Sequence, residues 1–207
     1  MFWHGVHSAY EVLGGNCRIA ADAELTCRMD IAGSQWRRFI ITANLSGEGD
    51  LSTYGERAPG AASFVTLDGG LSGFTGRFIA NGPNSNIGFE FGPNSTSPGD
   101  PDEPVGDSVR LVKGSVVRFL RSLTFGPNRG LQLGGDGDTA VPTIYVEKDA
   151  VVIVDGPLSG AMGFTKTGEG EYLVSKGKFV GGGAVVVNEG VFTLDAFTIP
   201  AETTPSR

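Results

Sequence analysis

Two histidines, His4 and His7, stand beside Trp3 near the start of the chain. At that spacing they could share a metal ion, but no carboxylate lies within the first ten residues to extend the ligand set, so the pair reads as part of a free terminus. Cys17 and Cys27 flank Ala20-Ala21-Asp22-Ala23-Glu24. They are placed either to form one disulfide across a bend or to stand as buried free thiols. Two thiols with no nearby histidine or further cysteine cannot fill a tetrahedral zinc shell. Asp100-Pro101-Asp102-Glu103-Pro104, with Asp107, offers carboxylate oxygens of the kind calcium prefers, without the glycine and ligand spacing of a defined calcium loop. Gly134-Gly135-Asp136-Gly137-Asp138 resembles half of a calcium-binding nonapeptide, a signal that needs repetition on neighbouring turns and occurs once. The remaining acidic and basic residues are scattered, and the carboxylate separation that decides a glycosidase mechanism requires a known strand register. No phosphate-cradling glycine loop, nucleophile elbow or zinc motif is present. The sequence therefore assigns no catalytic, cofactor-binding or metal-ligating residue.

The elements that carry these residues are short and repetitive. Leu45-Ser46-Gly47 recurs as Leu158-Ser159-Gly160, 113 residues further on, and Gly55 is matched at the same offset by Gly168. Phe74-Thr75-Gly76 is answered by Phe179-Val180-Gly181. Such recurrence marks a chain that stacks on itself, each unit burying its apolar side against the next. The first, degenerate repeat covers 39–80 and the second, clearer one 123–195, inside a single solenoid spanning 1–207. The chain has 33 Gly among 207 residues, more than twice the usual share of roughly 7%. Glycine at that level, with 40% hydrophobic residues, suits many short strands separated by tight turns.

Leu25 to Ile31 alternates apolar and polar as a half-buried strand does, and Phe39-Ile40-Ile41-Thr42 follows as another. The later strands are plainer: Val109–Val112, Val116–Leu120, Leu123–Phe125, Thr143–Val146, Val151–Val154, Tyr172–Val174, Val185–Val187 and Val191–Leu194. The best helical candidate, Ser115 to Leu123, reads at least as well as strand. Three copies of Gly-Pro-Asn, at 82–84, 92–94 and 126–128, read as β-turns with proline at the second position. Segment 95–107, rich in Pro, Ser and Asp, reads as an exposed loop inserted between strands. Strands of three to five residues with recurring glycines suit the rungs of a β-solenoid better than a sandwich, whose strands run nearer 5–6 residues.

Sixteen Lys and Arg against 23 Asp and Glu give a net charge of −7. With no basic cluster beyond Arg37-Arg38 and Lys176/Lys178, read as solvated strand faces, the chain is not expected to bind nucleic acid. No apolar run approaches the ~18–20 residues of a membrane-spanning helix. The start lacks the basic and apolar regions of a secretory signal, and Pro200 to Arg207 adds no capping element. A fragment of a longer exported chain is the expectation.

From Leu158 the residues run Gly163-Phe164-Thr165-Lys166-Thr167-Gly168-Glu169-Gly170, then Tyr172-Leu173-Val174, Phe179-Val180-Gly181-Gly182 and Val185-Val186-Val187-Asn188-Glu189-Gly190-Val191-Phe192. This resembles an autotransporter-associated β-strand repeat, the glycine-rich unit of bacterial passenger domains, and Asn128 to Leu133 is similar to the spacer that precedes such a unit. The earlier copy lacks the Lys-Thr-Gly step and carries Glu56 to Ala62 where the family turns tightly. The resemblance implies a right-handed parallel β-helix on an exported or cell-surface protein, with no catalytic residues and no cofactor. Phe164, Tyr172, Phe179 and Phe192 are then interior residues, and Gly168 and Gly190 are corners. The expected role is a non-enzymatic, structural or adhesin-like passenger segment, with surface glycans or cell-surface proteins as partners. A carbohydrate-active β-helix enzyme is the first alternative, and a phage-fibre-like structural protein the second.

Overall fold

A computed structural model describes residues 10–28, 37–55, 63–82, 87–135, 137–175 and 178–194. The described residues form strands and turns with no helix. In the first rung stand β1 (Tyr10–Leu13), β2 (Asn16–Ile19) and β3 (Glu24–Arg28). The second holds β4 (Arg37–Ile41), β5 (Asn44–Gly47) and β6 (Asp50–Tyr54), and the third β7 (Ser63–Leu67), β8 (Gly73–Phe74) and β9 (Phe78–Asn81). A fourth rung has only β10 (Ile87–Phe91) and β11 (Val105–Val112). Above it lie β12 (Val116–Phe119), β13 (Leu123–Phe125) and β14 (Arg129–Leu133), then β15 (Thr143–Val146), β16 (Val151–Val154) and β17 (Leu158–Ser159). The stack finishes with β18 (Phe164–Thr167), β19 (Glu171–Val174), β20 (Val185–Val187) and β21 (Val191–Leu194).

Like strands stack on like, always in parallel, so the chain is a β-solenoid with three faces. The first face runs β1-β4-β7-β10-β12-β15-β18-β20, and the third runs β3-β6-β9-β11-β14-β17. The second face is split into β2-β5-β8 and β13-β16-β19-β21. Rungs are shortest toward the end of the described chain: Phe78 pairs with Val109, 31 residues on, whereas Phe164 pairs with Val185, 21 residues on.

Because strand side chains alternate, every second residue points inward and meets its counterpart ~4.8 Å above and below. One ladder on the first face is Ile41, Leu67, Phe91, Phe119 and Val146, all fully buried. On the third face the equivalent ladder is Leu51, Phe78, Val109, Leu131 and Leu158. Aromatic rings meet in the middle. Phe91 and Phe119 stack at 5.1 Å between centroids, and Phe125 approaches both rings edge-on. Each such pair adds ~1 kcal/mol beyond its buried area. Phe164 and Tyr172 are fully buried, Phe192 packs half-buried against both, and Phe179 is half-buried against the core.

The turns follow the expected chemistry. Ser95 N–H donates to Gly92 O at 3.1 Å and Arg129 N–H to Gly126 O at 3.0 Å, closing turns with Pro93 and Pro127 at their second positions. Pro83 and Asn84 of the remaining Gly-Pro-Asn lie outside the described residues. Gly168 and Gly190 have φ of 76° and 69°, so both occupy corners that a side chain would strain. Ser115 to Leu123 is β12 with a turn on either side, not helix.

Three features differ from the sequence reading. The two Leu-Ser-Gly copies lie on different faces, one in β5 on the second and the other beginning in β17 on the third. Their local geometry is nonetheless the same: a Cβ on Gly47 would fall 2.0 Å from Ile19 O, and one on Gly160 would fall 2.0 Å from Leu133 O. The copies thus preserve a close approach to the rung below, not a position around the axis. β11, at eight residues, exceeds the expected strand length because its register slips between Val105 and Val109.

The third difference is segment 95–107. It has no strand before β11 and exposes Asp100, Asp102 and Glu103, as a loop does, but it crosses the second face as the fourth rung's part of the stack. Ser95, Pro98 and Pro101 are buried, while Asp100, Asp102 and Glu103 point outward. Pro98, Pro101 and Pro104 explain the missing strand. Each lacks the N–H a central strand must donate, so the segment cannot join β8 below to β13 above.

Candidate functional site

Where the fourth rung lacks a strand, side chains replace the ladder. Leu71 N–H donates to Thr96 Oγ1 at 2.7 Å, and Thr124 N–H donates to Ser97 Oγ at 2.9 Å. Ser95 Oγ donates to Leu67 O. At the corner between the first and second faces, Asn94 donates to Asp68 through its main-chain N–H (2.8 Å) and its Nδ2 (3.0 Å). Two rungs share a related contact one corner further round, where Asn128 N–H donates to Asp100 Oδ1 at 3.2 Å.

Carbonyls left without strand partners are satisfied from inside by Arg129, which is fully buried. Its Nη2 donates to Phe74 O at 2.8 Å and Gly99 O at 2.6 Å, Nη1 to Gly76 O at 2.9 Å, and Nε to Gly99 O at 3.0 Å. The guanidinium lies 5.6 Å from the centroid of the Phe78 ring. Burial pushes its pKa down to about 10, partly offset by Asp100, so it stays charged at neutral pH.

On the corner between the second and third faces, Glu48, Thr75, Gly76, Arg77, Pro101, Asp102, Glu103, Val105 and Asp107 line an open cleft of about 580 Å³. Arg77 stands between two acids. Its Nε and Nη2 bind Asp50 Oδ1 and Oδ2 at 2.9 and 2.5 Å, and Nη1 binds Asp107 Oδ2 at 3.2 Å. The Asp50 hydrogen bonds raise the Arg77 pKa further above its ordinary range. Two carboxylates neutralise this arginine, so the cleft as a whole is acidic through Glu48, Asp102 and Glu103.

A second interior cation is Lys166, also fully buried. Its Nζ donates to the carbonyls of Thr167, Gly168 and Glu189 at 2.9, 2.6 and 3.1 Å. Burial lowers its pKa, and the nearby Glu189 opposes the shift. Outside the first face, Arg118 binds buried Glu90 at 2.8 Å and lies over the rings of Phe64 and Tyr145.

The acidic residues singled out in the sequence are dispersed. Asp100 caps a turn, Asp107 lines the cleft but is held by Arg77, and Asp102 and Glu103 line it with Glu48. Asp138 Oδ2 accepts from Gly135 N–H at 2.6 Å and Lys113 N–H at 2.8 Å, which makes it the clasp of its own loop. Asp136, His4 and His7 lie outside the described residues. Cys17 and Cys27 are free thiols, Cys27 buried with its pKa pushed up to about 12 by desolvation. Among the described residues no three or more His, Cys, Asp or Glu side chains gather as a metal site.

Sequence reasoning passed over Arg77, Arg129 and Lys166. For the two interior cations a signal existed: Arg129 is in phase with Leu131 and Leu133, and Lys166 with Phe164, so alternation alone directs them inward. Arg77 had no such signal, because its partners lie 27 residues before and 30 after it. No helix among the described residues is long and apolar enough to cross a membrane. A scan against protein-family models matches no family, and searches of curated proteins and of solved structures likewise match none.

Proposed function

We propose that this chain is a non-enzymatic scaffold, an adhesin-like passenger segment of an exported bacterial surface protein. The observation that carries this reading is where the chemistry-capable side chains go. Asp68, Asp100, Asp138, Glu90, Arg129 and Lys166 each bind the main chain or a side chain of their own or an adjacent rung. Groups held this way stiffen a stack and are poorly placed to transfer protons or attack a substrate. A stack that can be lengthened rung by rung serves to hold a surface away from a cell or to present one. The order of glycines, Lys-Thr-Gly and Asn-x-Gly in 158–192 supports the passenger assignment.

The cleft beside Arg77 favours a second reading, a carbohydrate-active enzyme using carboxylates from Glu48, Asp102 and Glu103. The two readings separate in one assay. The purified chain is incubated with acidic and neutral polysaccharides, with and without calcium, and followed for unsaturated products and new reducing ends. The scaffold reading expects neither. Turnover that vanishes on Asp102→Ala or Glu103→Ala overturns it. Fractionating the source cells with an antibody to the chain tests location, and recovery solely from the cytoplasm overturns surface display.

A further inference from the structure

We infer that residues 92–104 form a strap that opens as a unit while the remainder of the solenoid stays folded. The strap crosses the second face at the one level where no sheet passes: β8 is the last strand below and β13 the first above. The other two faces continue through this level, with β10 paired to β12 and β11 to β14. Lifting the strap therefore breaks no strand ladder.

The strap itself carries little apolar surface. Segment 92–104 reads Gly-Pro-Asn-Ser-Thr-Ser-Pro-Gly-Asp-Pro-Asp-Glu-Pro and contains no Val, Leu, Ile, Met or aromatic residue. Its buried contribution is Gly92, Ser95, Pro98 and Pro101. The fastenings are hydrogen bonds, and those of Asn94 to Asp68, Thr124 to Ser97 and Asn128 to Asp100 lie at the surface, where water substitutes readily. Few buried apolar contacts and many exposed hydrogen bonds are the marks of a unit that opens below the global unfolding energy.

Arg129 is the latch. It grips the third rung through Phe74 O and Gly76 O and the strap through Gly99 O. When the strap lifts, the first two bonds remain and water takes the place of Gly99. Pro101, Asp102 and Glu103 also form one wall of the cleft, so opening widens the cleft.

Native-state hydrogen exchange on the full chain tests the strap. The N–H groups of Ser95, Gly99 and Leu71, bonded to Gly92 O, Leu71 O and Thr96 Oγ1, report on it. The N–H groups of Leu120 and Glu147, bonded to Phe91 O and Phe119 O, report on the first face. The strap amides should exchange at least about tenfold faster, with little dependence on denaturant. Arg129→Lys, which also loosens the third-rung carbonyls, should speed the strap amides by about tenfold more than it speeds Leu120 and Glu147. Ser97→Ala, which removes only the acceptor for Thr124 N–H, should do the same to a smaller degree and serves if the arginine variant fails to fold. Equal rates and equal denaturant dependence for both sets in the wild-type chain, or equal acceleration of both sets in a folded variant, would overturn the inference.

Discussion

Arg129 reaches from the fifth rung to the carbonyl of Phe74 in the third, 55 residues earlier, and donates to it at 2.8 Å. The contact spans the gap left by the prolines of the fourth rung. A charged group is tolerated inside an apolar solenoid because carbonyls that would otherwise lose their partners receive it.

Replacing Arg129 should therefore be severe. Arg129→Met removes a costly buried charge but orphans the carbonyls of Phe74, Gly76 and Gly99, each worth about 1–3 kcal/mol when buried without a partner. The carbonyl losses outweigh the relief, and a net destabilisation of about 3 kcal/mol is expected. Urea unfolding midpoints measure it. A variant as stable as the parent would show that the guanidinium is dispensable.

Tyr172 makes the opposite case. Its ring is fully buried between Phe164 and Phe192, and its hydroxyl has no hydrogen-bond partner. Tyr172→Phe keeps the ring packing and discards the unsatisfied group. It should raise stability by up to ~1 kcal/mol, read as a higher thermal midpoint. A loss of more than ~1 kcal/mol would mean that the hydroxyl is paired in solution.

At the corners, Gly168→Val and Gly190→Val should each destabilise by more than ~1 kcal/mol. Both residues sit at positive φ, and a Cβ would fall 2.2 Å from Val146 O and 2.4 Å from Gly170 O respectively. Gly106→Ala is the control. Nothing lies within 4 Å of its Cβ position, so its midpoint should stay within ~0.5 kcal/mol of the parent.

Cys27 makes stability fall with alkalinity. Its thiol pKa rises from 9.0 to about 12 on folding. Above pH 9 the unfolded chain releases this proton and the folded chain keeps it, so the contribution is complete below pH 9 and is lost as pH climbs toward 12. Buried Tyr172, also raised, acts in the same direction, and Lys166, lowered by burial, acts against it. Denaturant unfolding at about pH 8 and about pH 10 should show a drop that shrinks in Cys27→Ala. An equal drop in both proteins would remove the thiol from the account.

Alone, the sequence determined the class of structure and most of its strands, because short β-branched runs, glycine corners and proline turns act over a few residues. Val151–Val154, Thr143–Val146 and Gly168 stand where local chemistry puts them. Inward placement of Phe164 and Tyr172 follows from alternation in the same way. Tertiary structure decided which strand stacks on which, because the ladders join residues as far apart as Phe78 and Val109 or Glu171 and Val191, and no single pair is strong enough to announce its partner. That is why one Leu-Ser-Gly serves the second face and its twin the third, and why Asp50, Arg77 and Asp107, far apart in the chain, line up on one corner. It also converted an apparent surface loop into a rung. Prolines forbid a strand there, but only the rungs above and below supply Leu71 N–H, Thr124 N–H, Asp68 and Arg129, the partners that let the segment remain within the stack without one.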